Sequence, residues 1–183
     1  DFIQDLFRSD DADFELSLLQ RVFMRAMARN QYCDITACRG ATKTFCTLNE
    51  NMDEMILWLG IKEGYIAPSY RQGAKIASQT YKQNSKDYPE LASHFKVISD
   101  SADKFEIQTS YGSQLSIAAF RGNSLHKAVA EEYAQEGANR FNEEEWKRVV
   151  LPSVRLQYRV NGQVDPTYIS FKQHSITSAG RRQ

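Results

Sequence analysis

The chain has 183 residues, 42% of them hydrophobic, and 23 basic side chains balance 23 acidic ones. That length suffices for one domain with a substantial core, while zero net charge excludes a whole-surface grip on nucleic acid and leaves room only for a local patch. No apolar run is long enough to span a bilayer, and Cys33, Cys38 and Cys46 form no CxxC pair, which suits a reducing compartment and argues against structural zinc.

Residues through Phe14 are acidic with a few aromatics and are expected to pack as an arm. Ser17-Leu-Leu-Gln20 has capping-box form, and Leu19, Val22, Phe23, Ala26 and Met27 follow at helical spacing, so a helix is predicted to end near Asn30. A short strand, Tyr32 to Ala37, leads into a loop. A second helix starts around Lys43 with Phe45, Leu48, Met52, Met55, Ile56 and Leu59 on one face. "GYIA" at 64–67 reads as a strand that stops at Pro68, and Ser69-Tyr-Arg-Gln72 opens a third helix to about Gln83.

The period then changes. Phe105, Ile107 and Thr109 alternate, as do Leu115, Ile117 and Ala119, with "YGS" between them, a hairpin pattern. "KAVA" at 127–130 is a short buried strand ending at Glu131-Glu132. Asn142 with Glu145 caps a helix that stops before Pro152, "NG" at 161–162 marks a tight hairpin turn, and the last strand runs into "ITSAG" at 176–180. His94, His126 and His174 show no ligand spacing and are expected at the surface or at strand flanks.

Helices alternating with strands imply an α/β fold with a mainly parallel sheet and inserted hairpins. Ligands of such sheets gather at the carboxyl ends of the strands. The loop after the first strand, the "APSYRQ" turn, Glu131-Glu132 and "TSAG" each follow a strand, so they should meet on one edge.

The loop carries the first chemical signal. "CRGATKT", 38–44, ends in Lys-Thr at a helix start, as a phosphate-binding loop G-x-x-x-x-G-K-[ST] does, but Ala37 and Thr42 stand where its glycines belong. Such a loop works because backbone N–H groups and a helix N-terminus surround a phosphate, the Lys adds a point charge, and the Thr hydroxyl binds Mg²⁺. "AVAEE" has the shape of a Walker B strand, with Glu131 near the metal and Glu132 polarising a water. Arg39, inside the loop, is placed to stabilise charge on a transferred phosphoryl group, and Gln20 offers an amide that can read adenine. The residues alone also allow an ordinary helix start, a solvated acidic pair, a surface ion pair and the N3 residue of a capping box.

The order of these segments resembles the ATPase domain of tailed-phage large terminase subunits. The resemblance rests on "LSLLQRVFMRAMARN", "ITACRGATKTF", "YIAPSYRQGAKIA", "FRGNSLHKAVAEEYA" and "ITSAG", and spans about Leu16 to Gly180. It implies a RecA-like P-loop NTPase fold of the ASCE kind, with residues 1–183 as a single ATPase domain behind an arm of about 15 residues. ATP and Mg²⁺ would be held by the loop residues Cys38, Arg39, Gly40, Ala41, Thr42, Lys43 and Thr44. Glu131 and Thr44 would serve the metal, and Glu132, Arg39 and Lys43 the reaction. Gln20 would lie on the adenine side, and Thr177 and Ser178 in a motif that couples hydrolysis to motion. Partners implied are double-stranded DNA, a portal protein, a small terminase subunit and further copies in a ring on the capsid, with a monomer in isolation and no membrane. The setting implied is the host cytoplasm during virus assembly.

Two departures from that pattern stand out. Thr42 replaces a Gly that permits positive φ and close phosphate approach, and Glu131 replaces the usual Asp. No nuclease domain follows "TSAGRRQ", so the expectation is an isolated or shortened ATPase domain that does not cut DNA. Arg71, Lys75, Arg121, Arg181 and Arg182 are candidate DNA contacts. Two other readings stay open: a P-loop DNA translocase of helicase type, and a P-loop-shaped interaction module that does not hydrolyse ATP.

Overall fold

The computed structural model describes residues 15–38, 40–67, 69–117, 124–131, 144 and 146–178. Ser17 closes the start of helix α1 (Leu18–Arg29): its hydroxyl accepts from Gln20 N at 3.3 Å, and Gln20 Oε1 accepts from Ser17 N at 2.8 Å. This is the reciprocal capping box anticipated from the sequence. The buried face is displaced from the expected one. Phe23, Met24 and Met27 are buried, whereas Leu19 and Val22 are exposed, because α1 turns its Leu16–Phe23–Met24 side toward Phe45, Cys46 and Ile35.

Strand β1 (Tyr32–Ala37) and helix α2 (Lys43–Leu57) coincide with their predicted starts. On α2, Leu48, Met52 and Met55 are buried; Leu59 lies beyond the helix and is exposed. Strand β2 (Lys62–Ile66) is followed by α3 (Tyr70–Asp87), whose N-cap Ser69 accepts from Gln72 N at 3.1 Å. Helix α3 runs past the expected end near Gln83. At Gly73 a Cβ would lie 2.9 Å from Ala67 Cβ and 3.2 Å from Ile117 Cγ2, so only glycine lets α3 approach the sheet this closely.

Helix α4 (Pro89–Ser93) and strand β3 (Phe95–Asp100) are additions that the sequence reading lacks. The expected hairpin is β4 (Phe105–Thr109) with β5 (Gln114–Ile117), and the apolar strand is β6 (Lys127–Glu131). Asn142 and Glu145, the expected helix cap, lie outside the described residues. The helix does not stop short of Pro152: Trp146–Val150 is wound as a π-helix and Leu151–Ser153 as a short helix, α5, where Pro152 sits in the first turn and loses no needed N–H. Asn161 (φ 51°) and Gly162 (φ 80°) form the tight turn between β7 (Arg159–Val160) and β8 (Gln163–Val164). Strand β9 (Lys172–Ser178) is the last described element.

The main sheet has the order β1-β9-β6-β2-β5-β4-β3. Its first five strands run parallel, and β4 is antiparallel to both β5 and β3. Helices α1, α2 and α3 bury Met27, Leu48, Met52, Met55, Ala74 and Ala77 against one face, with Tyr65, Leu115, Ile117, Val129 and Ile176. On the other face Ile66, Ala128 and Ala130 pack with Val150 and Val154.

Residues two apart in a strand share a face. Lys127, Val129 and Glu131 of β6 therefore line up under α2, beside Glu63 and Tyr65 of β2 and Lys172, His174, Ile176 and Ser178 of β9. The row is apolar in the middle and polar at both ends. At the amino ends of the strands Lys127 contacts Glu50, lies 3.0 Å from Glu54 and 3.9 Å from Glu63 Oε1, and is fully buried. Lys172 contacts Glu54, donates to Ala28 O at 2.8 Å, and lies 5.3 Å from the centre of the Tyr168 ring. Glu50 and Glu54 belong to α2, so this buried cluster ties the far end of α2 to β2, β6 and β9.

Candidate active site

Helix α2 begins at the carboxyl ends of the strands, immediately after the loop. Within that loop Ala41 N donates to Cys38 O at 3.3 Å, a turn that requires φ +84° at Gly40. A Cβ at Gly40 would meet nothing within 4 Å, so the residue is there for its backbone and not for space. Arg39 lies outside the described residues. Thr42 is left-handed, φ 52° and ψ 29°, as the missing glycine implied. For a β-branched residue this conformation costs about 1–2 kcal/mol. Its hydroxyl lies 3.3 Å from Gln20 Nε2, which donates to it, and 3.9 Å from Cys46 Sγ.

Lys43 is buried at 7% exposure, and its ammonium curls back to the loop and the neighbouring strand. Nζ donates to Cys38 O at 3.0 Å, to Ala37 O at 3.4 Å and to Ser178 Oγ at 3.1 Å. Ala37 and Ser178 are register partners in β1 and β9, which explains the meeting. These three described acceptors, all neutral, hold the ammonium over the loop.

Thr44, the next residue, donates its hydroxyl hydrogen to Glu131 Oε1, and Tyr65 donates to Glu131 Oε2. Glu131 is buried at 6% exposure, and Tyr65 fully so. A hydroxyl that gives its hydrogen to a carboxylate keeps its oxygen lone pairs for a metal. Among the described residues no group of three His, Cys, Asp or Glu side chains is arranged to hold a metal unaided. Mg²⁺ suits such a place, since it uses one or two protein oxygens and takes the rest from phosphate and water. The ammonium, hydroxyl and carboxylate therefore fit a magnesium-bound triphosphate. Burial pushes the Cys46 thiol up, so it is no nucleophile here.

The structure brings Lys43, Thr44, Glu131 and Ser178 together. Gln20 closes the capping box and reaches the same loop through Thr42, contacts that engage both the oxygen and the nitrogen of its amide. Thr177 pairs with Thr36 in the β1–β9 ladder. Glu132, Arg121, Arg181 and Arg182 lie outside the described residues. Arg71 and Lys75 are exposed on α3.

Sequence reasoning overlooked Tyr65, whose plain reading is a core aromatic of a strand; only the pairing of β2 with β6 shows its tie to Glu131. It also missed the burial of two histidines, His174 within β9 and His126 at the expected strand flank beside β6. His174 is fully buried with Nε2 3.0 Å from Asn30 O, and His126 is 8% exposed and accepts at Nδ1 from Lys62 N at 2.9 Å. Both serve as backbone partners where the strands begin, a role that leaves no mark in spacing.

Among solved structures, the chain resembles the ATPase domain of the Thermus phage P74-26 large terminase with a TM-score of 0.57 and 15% identity, over 93% of this chain and 85% of that one. The large terminase of another thermophilic bacteriophage matches with a TM-score of 0.56 and 12% identity, over 90% of this chain and 39% of that one. That second terminase in complex with ATP-gamma-S gives a TM-score of 0.57 at 11% identity, over 90% of this chain and 38% of that one. No protein-family profile matches the chain, and no curated protein does. The chain shares the α/β fold of terminase ATPase domains, as the segment order led us to expect.

Proposed function

We propose that this chain is an ATP-hydrolysing motor domain of the large-terminase kind, driving double-stranded DNA into a procapsid. One observation carries the reading: Lys43 and Thr44 at the start of α2 meet Glu131 of β6 and Ser178 of β9 at the carboxyl edge of a parallel sheet. The fold shared with large terminases, one of them solved with ATP-gamma-S, supports it.

In this reading the backbone of residues 38–44 cradles the phosphates of ATP, with Lys43 as the point charge beside them. Thr44 and Glu131 hold Mg²⁺, which neutralises charge on the phosphates when bound. Glu132 orients and polarises the attacking water, Arg39 stabilises charge on the transferred group, and Gln20 reads the base. Thr177 and Ser178, at the end of β9, sense the change beside Lys43 and pass it along that strand to move the domain. DNA, a portal protein, a small terminase subunit and further copies in a ring are the partners of such a motor, in the host cytoplasm; DNA cutting is not part of the proposal. Among the described residues no helix is long and apolar enough to cross a membrane.

The deciding experiment is a titration with Mg-ATP followed by phosphate-release kinetics. Saturable binding lost in Lys43→Ala, with phosphate release lost in Glu132→Gln, supports the motor. A folded protein that binds nothing at millimolar ATP supports the interaction module, for which the left-handed Thr42 is the physical ground.

A further inference from the structure

Tyr65 is a fully buried side chain whose hydroxyl ends on Glu131 Oε2. In the parallel β2–β6 ladder, Tyr65 pairs with Val129 and Ile66 with Ala130. Tyr65, Val129 and Glu131 thus share a face, and the length of the phenol covers the offset to Glu131. A leucine or phenylalanine would fill this part of the core equally well without a polar atom. A buried tyrosine hydroxyl needs an acceptor, and the one it has is the acid that the nucleotide reading assigns to the metal.

Glu131 has one more rotatable bond than aspartate, and that added freedom must be removed for its carboxylate to stand still. Oε1 accepts from Thr44 and Oε2 from Tyr65, so donors on α2 and on β2 hold the two oxygens from different sides. The Thr44 hydroxyl can point its lone pairs toward a metal only while Oε1 keeps its place.

We propose that Tyr65 is a positioning residue for the metal of a nucleoside triphosphate: it locks Glu131 so that the Thr44–Glu131 pair is set before Mg²⁺ arrives. This inference rests on the nucleotide-binding reading above. It also gives a reason for glutamate at this place, since an aspartate carboxylate would stop a methylene short of the phenol.

The test uses the full chain and a fluorescent ATP analogue, titrated in EDTA and again over a series of Mg²⁺ concentrations. Tyr65→Phe removes one oxygen and keeps the ring. Its affinity in EDTA should stay within about twofold of wild type, while the Mg²⁺ concentration for half-maximal tightening rises about 10-fold, the scale of one hydrogen bond to a charged group. An unchanged Mg²⁺ requirement in a folded Tyr65→Phe overturns the inference. Should that variant not fold, Tyr65→Met, which fills the space without a donor, decides: a raised Mg²⁺ requirement at an EDTA affinity within about twofold of wild type supports the lock, and a lowered or equal one overturns it. A wild-type chain that binds no nucleotide in either buffer fails at the earlier step and removes the nucleotide reading itself.

Discussion

Lys43 Nζ lies 3.1 Å from Ser178 Oγ, although the two residues are 135 positions apart in the chain. The contact joins the first turn of α2 to the end of β9 and makes Ser178 a neighbour of the cation that the proposed motor would set beside phosphate. Lys43→Ala should weaken Mg-ATP binding at least 10-fold, the loss of charge-assisted hydrogen bonds of about 1.5–3 kcal/mol. Ser178→Ala leaves Lys43 its two carbonyl acceptors, so nucleotide affinity should stay within about threefold while turnover falls more. Titration alongside steady-state phosphate release separates the two; equal losses of affinity in both variants would contradict the assignment.

Lys127 is fully buried among Glu50, Glu54 and Glu63. Lys127→Met fills the space but strands carboxylates in a dry core, and should lower unfolding free energy by about 3–5 kcal/mol. Adding Glu50→Gln replaces a buried acid that, without Lys127, must hold a proton or stand uncompensated, so the double variant should recover part of that loss and be visibly non-additive. Urea unfolding at neutral pH reads both. A double variant as unstable as the sum of the singles would mean that the cluster does not act as a unit.

Thr42 holds φ 52° without a side-chain cap to α2. Thr42→Gly should relieve about 1 kcal/mol of backbone strain. Against this stand the weak contact with Gln20 at 3.3 Å and the flexibility that glycine adds to the unfolded chain. The net stability change should therefore be within about 1 kcal/mol of zero, while nucleotide affinity improves as the loop gains freedom to close on phosphate. Thermal unfolding and the ATP titration measure the two effects. Weaker binding in Thr42→Gly would show that the threonine hydroxyl has a use in the loop.

Signals confined to a few neighbouring residues could be read directly. Ser17 with Gln20, Ser69 with Gln72 and Asn161-Gly162 each declare a turn or a helix start by local hydrogen bonding, and all three stand where expected. Lys43-Thr44 at a helix start and "AVAEE" at a strand end were legible for the same reason. What escaped depends on pairing across the sheet. β3 is an edge strand with mostly exposed side chains, so its alternation is faint. Lys127 and Lys172 look like solvated charges until α2 brings Glu50 and Glu54 onto them. Tyr65 gains its meaning only from the register of β2 with β6.

The buried cluster also fixes how stability follows pH. Burial pushes Glu50 up to about 7, and burial with the charges of Glu50 and Glu54 pushes Asp53 up to about 7. Glu63 is raised well above the usual range by burial and by its acidic neighbours, with Lys127 drawing the other way. Between their ordinary values near 4 and about 7 the native chain holds protons that the unfolded chain has lost, so these groups make stability fall as pH rises. His126 and His174 act oppositely. Burial, aided by Lys62 and by Lys127 respectively, holds them down to about 4 and about 3, so the unfolded chain takes up protons first and stability falls as pH drops below 6.5. Burial raises Glu54, but Lys127 and Lys172 outweigh it and hold it down to about 2, which adds a further loss below 4.5. Each unmatched proton is worth about 1.4 kcal/mol per pH unit. Between about pH 4.5 and 6.5 the three raised acids outweigh the two histidines by one proton, so thermal midpoints should decline gently there, drop more sharply between about 6.5 and 7, and fall steeply below about 4.5. In Glu50→Gln/Asp53→Asn the two histidines outweigh Glu63, so stability should rise to about pH 6.5 and above it decline only by the one proton that Glu63 holds. A wild-type optimum above about pH 8, or a double variant with an unaltered alkaline limb, would place the proton-linked groups elsewhere.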